Sequence, residues 1–146
     1  MISNIINKQI TDAMKARDGV RLSTLKLLSS ELHNEWIAKQ HELSGEEELA
    51  VVRREAKKRK EMIEICNQNG KPEHAERERA ELAILQEFLP AELGDEELEK
   101  IVSEAISETS ASSMADMGRL MGVVMQKVAG RASGDRVSSL VRTKLL

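Results

Sequence analysis

Apolar residues recur three and four positions apart along nearly the whole chain, a pattern that predicts amphipathic helices rather than strands. Ser3 is placed to cap a first helix whose stripe is Ile5, Ile6, Ile10 and Met14 and which ends near Arg17-Asp18-Gly19. Asp18 would cap a long second helix, with Leu22, Leu25, Leu28, Leu32 and Trp36 on one face and Val20 and Leu27 on another. That helix is expected to be covered on two sides and to act as a central pillar. Ser44-Gly-Glu-Glu reads as a capping box opening a third helix that runs to about Asn67, with Leu49, Val52, Ala56, Ile63 and Cys66 inward. Pro72 suits the first turn of a fourth helix reaching Phe88. Its main stripe is Leu82, Leu85 and Leu89. A second, Ile84 and Phe88, needs cover from the C-terminal piece or from the end of the first bundle.

Pro90 disfavours helix at Leu89 and supplies no amide of its own, so a boundary is expected there. Gly94 and Asp95 open an acidic helix over Leu98, Ile101, Val102, Ala105 and Ile106. Ser113 and Asp116 cap the next, whose Met114, Met117, Met121 and Met125 read as core. Gly118 and Gly122 lie within it. Each costs roughly 1 kcal/mol relative to Ala, which predicts a backbone packed close against them. Gly130 can take the left-handed turn that ends the helix. Asp135 would then cap a last helix with Val137, Leu140, Val141 and Leu145 inside. The expected fold is all-α: an N-terminal bundle of about four helices in residues 1–90, then a small three-helix domain in 95–146.

The string MGRLMGVVMQKVAGRASG, Met117 to Gly134, resembles the C-terminal signature of the YqeY-like family. It is also similar, more loosely, to the tail domain of the B subunit of the tRNA-dependent amidotransferase that amidates Glu-tRNA or Asp-tRNA (the GatB/YqeY relation). The likeness continues upstream through RLSTLKLLSSELHNEWI, RREAKKRKEMIE and ERAELAILQEFLP, and so covers nearly the whole chain. It implies a tail that grips tRNA. It does not imply catalysis, because the catalytic part of the B subunit lies in a larger domain with no counterpart here.

Composition narrows the choice further. The chain of 146 residues is 40% apolar and 32% charged, and Trp36 and Phe88 are its only aromatic rings besides histidine. That balance suits a helical globule. A net charge of -3 gives no bulk attraction to nucleic acid or anionic membrane, so such contact must be local. No apolar run approaches the roughly 20 residues that a bilayer span needs. No secretory pattern opens the chain either, so a cytoplasmic location is expected; the sequence leaves the oligomeric state open, with a monomer favoured. Cys66 is single and falls on an apolar face, as an inert core thiol would. His33, His41 and His74 have no pairing at metal-ligand spacing, and Gly130-Arg-Ala-Ser-Gly134 lacks the strand a phosphate loop needs. Neither a catalytic residue, a metal site nor a cofactor site is expected.

Charge is segregated instead. Residues 95–108 hold six acidic groups and one basic, whereas 109–146 hold Arg119, Lys127, Arg131, Arg136, Arg142 and Lys144 against Asp116 and Asp135. Such a patch can neutralise phosphates, and the scarcity of stacking aromatics favours folded over single-stranded RNA. Arg131 and Arg136 are the principal candidates for nucleic-acid contact, with Lys127, Arg142 and Arg119 supporting. The run Arg53–Lys60, six basic residues against one acidic, is either a second patch or a solvated face. The alternative to an RNA-binding role is a protein-interaction adaptor using the Met stripe, or an accessory of a glutamine-dependent carbon-nitrogen ligase (amidotransferase) assembly in tRNA amidation.

Overall fold

The computed structural model describes all 146 residues, Met1–Leu146, and is all-α. Its helices are α1 (Ile2–Ala16), α2 (Gly19–Lys39), α3 (Gly45–Gln68), α4 (Pro72–Gln86), α5 (Asp95–Thr109), α6 (Met117–Val128) and α7 (Gly134–Leu145), with a 3₁₀ turn at Met114–Asp116 before α6. No helix is long and apolar enough to cross a membrane. The chain falls into two compact units, Met1–Pro90 and Ala91–Leu146.

In the first unit α2 packs against α1, α3 and α4, as a central pillar would, although its expected second face is not the one covered. Leu25, Leu28 and Leu32 of α2 meet Ile2, Ile6 and Ala13 of α1, Val51 and Val52 of α3, and Leu85 of α4. Burying one such side chain contributes about 1.5–3 kcal/mol, enough in sum to offset much of the entropy of ordering four helices. Ile84 and Phe88 settle against this same core, so the second stripe of α4 is covered within the first unit. The stripe of α1 differs from expectation. Ile5 and Met14 are exposed, and the inner face is Ile2, Ile6 and Ala13 with Ile10 half-buried. On α2, Leu27 and Trp36 are exposed as well. Leu27 stands outside the Leu25, Leu28 and Leu32 face, and Trp36 lies one turn beyond it.

The reason α1 is rotated lies in α3. Helix α1 begins at Ile2, so Ser3 is inside it rather than capping it. The cap comes from Glu48, whose buried carboxylate accepts from the Ile2 amide at 2.7 Å, the Ser3 amide at 3.1 Å and the Ser3 hydroxyl. A carboxylate at the positive end of α1 both satisfies orphan donors and suits the helix dipole. Further along α3, Glu55 is buried and pairs with Lys58 at 2.8 Å, and Arg59 reaches Glu78 and Glu81 of α4 at 3.6 and 3.2 Å.

The Ser44–Glu47 box opens α3 as the sequence predicts, whereas the Ser113–Asp116 box caps the 3₁₀ turn at Met114–Asp116 rather than α6 itself, which starts at Met117 without a side-chain cap. Both carboxylates titrate below their ordinary range. For Glu47 the chief cause is the Ser44 amide, helped by Lys39 and His41; for Asp116 it is the Ser112 amide, then that of Ser113 and the Arg119 guanidinium. A depressed folded pKa stabilises the helix start above the unfolded pKa, and that contribution disappears as pH falls through the folded value. Helix fraying at residues 44–48 and 112–117 is therefore expected below about pH 4, where free carboxylates protonate. Amide shifts of Ser44 and Ser113 followed by NMR should move there together with their partners' carboxyl resonances, and Asp116→Asn should abolish the response at 112–117 only.

In the second unit Leu98, Val102 and Ala105 of α5, Leu120, Val124 and Val128 of α6, and Val137, Val141 and Leu145 of α7 form the core. The inner faces of α5 and α7 are those the periodicity gives. The start of α7 is not: Ser133 caps it, its hydroxyl accepting from the Arg136 amide at 3.2 Å, and Asp135 stands in the first turn. Ala129 (φ 50) and Gly130 (φ 77) together make the left-handed reversal after α6. Gly118 and Gly122 are exposed, and nothing lies within 4 Å of where a Cβ would stand, so the close backbone contact expected there does not occur. The Met stripe splits. Met117 and Met121 pack on the core, while Met114 and Met125 are exposed, because α6 turns Leu120, Val124 and Val128 inward instead.

Candidate nucleic-acid interface

Three of the seven basic residues of the second unit flank the turn that joins α6 to α7. Lys127 lies in the last turn of α6, Arg131 follows the left-handed pair Ala129-Gly130, and Arg136 lies in the first turn of α7. Arg119 is apart from them. It lies eight residues before Lys127, about 12 Å along the helix axis. Its partner is its own Asp116, at 3.1 Å. Arg142 lies six residues beyond Arg136, about 9 Å further along α7. The five residues do not form one continuous ridge.

Most of them are already engaged. Arg136 meets Asp95 at 2.9 Å, Lys127 meets Glu108 at 2.9 Å, and Lys144 meets Glu99 at 2.8 Å. All three carboxylates belong to α5, so the acidic helix serves as counter-charge to the basic end. Arg131 is held differently: its Nε donates to the Ala91 carbonyl at 3.0 Å, and its own carbonyl accepts from the Leu93 amide at 2.8 Å. These contacts pin the segment before α5 against the α6–α7 turn. Arg142 is exposed, and its side chain makes neither an ion pair nor a hydrogen bond.

The engagements are of unequal consequence. Asp95 is 99% exposed, and Glu108 and Glu99 are more than half exposed. Each pair is therefore a solvent-screened contact of about 0–1 kcal/mol. A phosphate can replace such a carboxylate at little cost. Arg131 gives one of its guanidinium donors to a neutral carbonyl and keeps its full charge. What the sequence could not reveal was the pairing itself, since Arg136 and Lys144 find partners 41 and 45 positions away.

The second candidate patch is dispersed. In the run Arg53–Lys60, Arg54 pairs with Glu31 and Glu35 of α2, Lys58 with Glu55, and Arg59 is drawn into the interface with α4. His33, His41 and His74 are all exposed, and Cys66 is a buried free thiol.

Comparison with known proteins fits this architecture. A glutamyl-tRNA(Gln) amidotransferase subunit of Thermococcus gammatolerans is 42% identical over 57 residues, which is 36% of this chain but only 9% of that much longer protein. The uncharacterized protein C22F3.15 of Schizosaccharomyces pombe is 31% identical over 86 residues, 59% of this chain and 70% of that protein. Residues 3–145 match the family described as Yqey-like protein, and with so nearly complete a match the chain belongs to that family.

Proposed function

We propose that the chain binds structured RNA of the tRNA class without catalysing a reaction on it. The four helices of its first unit and the three of its second act as separate domains, and the basic end of the second makes the contact. The observation that carries this reading is the set Lys127, Arg131 and Arg136, which flank the α6–α7 turn and are held by exposed carboxylates or a neutral carbonyl that exchange easily for phosphate. Lys127 and Arg136 reach opposite ends of α5, about 20 Å apart, a spacing suited to several phosphates of one backbone. Similarity to part of a glutamyl-tRNA(Gln) amidotransferase subunit supports tRNA as the RNA class. With seven basic and nine acidic residues in 91–146, binding depends on placement rather than on net charge.

Filter binding of tRNA across a salt series tests the proposal. Each phosphate contact adds about 0.9 to the slope of log affinity against log salt on duplex. Arg142→Ala removes a cation that supports nothing else and is expected to lower that slope by about one. Asp95→Asn frees Arg136 and is expected to tighten binding. Absence of binding at low salt, or indifference to both substitutions, would sink the idea.

A second reading is favoured by the outer edge of α6, where Gly118, Gly122 and Met125 share one side and Met114 is exposed just before it. Such an edge suits docking of a protein partner in tRNA amidation. Met125→Glu is then expected to abolish association with an amidotransferase assembly while leaving tRNA binding intact.

A further inference from the structure

The only tryptophan of the chain is not buried. Trp36 is 46% exposed near the C-terminal end of α2, and the His33 imidazole stacks on it with ring centroids 5.4 Å apart and planes 25° from parallel. A tryptophan left half in water forgoes much of the roughly 150–250 Å² of burial its ring can provide. Here the two rings form one wall of a cleft of about 430 Å³ between α1 and α2. Ile6, Leu32 and Leu43 line its base, and Asn4 and Asn7 stand along α1 with Ser29 and Glu42 completing the polar lining. The side chains of Asn4, Asn7, Ser29 and Glu42 are engaged in no hydrogen bond or ion pair within the protein.

The geometry points to a nucleobase site, with Trp36 as the stacking platform and the Glu42 carboxylate reading guanine. The chemistry is specific on three counts. A purine is flat and presents a π-face, which a half-exposed indole matches; stacking of one base on an aromatic side chain is a common source of affinity. The rim supplies groups able both to donate and to accept, the two asparagine amides and the Ser29 hydroxyl, as a base edge requires. A carboxylate only accepts, and the Watson–Crick edge of guanine offers two adjacent donors, N1–H and the exocyclic amine. Adenine offers one donor beside an acceptor that the carboxylate would repel. The cleft lies wholly within the first unit and does not depend on the basic turn of the second. Either a free guanine nucleotide or an unpaired guanine of an RNA strand carries this base, and the experiment separates the two sources.

Trp36 is its own reporter. Titration of the full-length protein with GMP, AMP and CMP at physiological salt is expected to quench its fluorescence, with guanine preferred about tenfold over adenine. Two short single-stranded RNAs, one with a central guanine and one with uridine in its place, form the second arm. Saturable binding of GMP identifies the free nucleotide as sufficient, and binding of the guanine strand alone identifies an RNA base. Calorimetry extends the test to variants: Trp36→Ala should abolish binding, Trp36→Phe should retain it within about tenfold, and Glu42→Gln should erase the guanine preference. GMP binding makes no use of the basic turn, so a free-nucleotide titration that responds to Trp36→Ala and Glu42→Gln separates failure of this site from failure of the basic turn. No saturable quenching or heat with any nucleotide or strand up to millimolar concentration would overturn the assignment. Guanine binding that survives both Trp36→Ala and Glu42→Gln would do the same.

Discussion

Replacing Glu48 with Ala is expected to cost the first unit about 3 kcal/mol or more, a large share of the roughly 5–15 kcal/mol that separates folded from unfolded domains. Three donors, the Ile2 and Ser3 amides and the Ser3 hydroxyl, converge on that carboxylate, which belongs to a residue only 1% exposed. Removing it strands the Ile2 amide in a buried position and leaves the positive end of α1 without a counter-charge. Loss of an ordinary exposed cap costs about 1 kcal/mol; here burial adds the desolvation penalty of each orphaned donor. Glu48→Gln discriminates between volume and charge, because an amide fills the same space but offers one accepting oxygen. It should recover less than half of the loss. Urea denaturation followed by helicity gives both values. A Glu48→Ala protein as stable as the parent would mean that α1 is held by its apolar face alone. Hydrogen exchange provides an independent check, since the amides of residues 4–8 should lose protection before those of α2 do.

Leu120→Ala is expected to unfold the second unit while the first remains intact. Leu120 is fully buried in a cluster drawn from all three helices. Leu→Ala at such a site costs about 2–5 kcal/mol through lost transfer energy and the cavity left behind. A unit as small as Ala91–Leu146 has little stability to spare. The parent protein's proton–nitrogen spectrum should therefore lose dispersion for residues 95–145 alone in the variant, and limited proteolysis should leave a resistant fragment ending near Pro90. Collapse of the whole chain, or retention of every resonance, would contradict the independence of the two cores. The opposite design serves as control: Leu25→Ala, at an equally buried position of α2, should affect residues 1–90.

The sequence shows its helices plainly because each core residue repeats at helical spacing on its own element. Leu98, Val102 and Ala105, or Val137, Val141 and Leu145, need no knowledge of a partner to be recognised as an inner face. The Ser44 and Ser113 boxes are legible for the same reason, their partners being three residues away. What fails is whatever depends on a second element. Glu48 reads as one of three acids suited to a helix start, and only the approach of α1 makes it a buried cap. Asp135 reads as the cap of α7, yet the helix already begins at Gly134, the residue before it, and Ser133 takes the cap. Gly118 and Gly122 suggested tight packing, yet their edge of α6 faces outward because the larger residues on the other side fill the core. In the candidate interface, the signal was charge. The carboxylates that share it come from a helix whose pairing register cannot be read from local spacing.

The acidic helix opposite the basic residues has a bearing on selectivity. Asp95, Glu99 and Glu108 are tethered beside their cations. Each therefore acts at an effective concentration in the millimolar range or above. A lone inorganic phosphate arriving from solution must compete with that tether one site at a time and gains little. A polymer whose anionic groups are joined to one another exchanges several such contacts together, each after the first being nearly intramolecular. If the basic end binds RNA as proposed, the internal carboxylates would act as a threshold that favours long polyanions over the small anions of the surrounding medium.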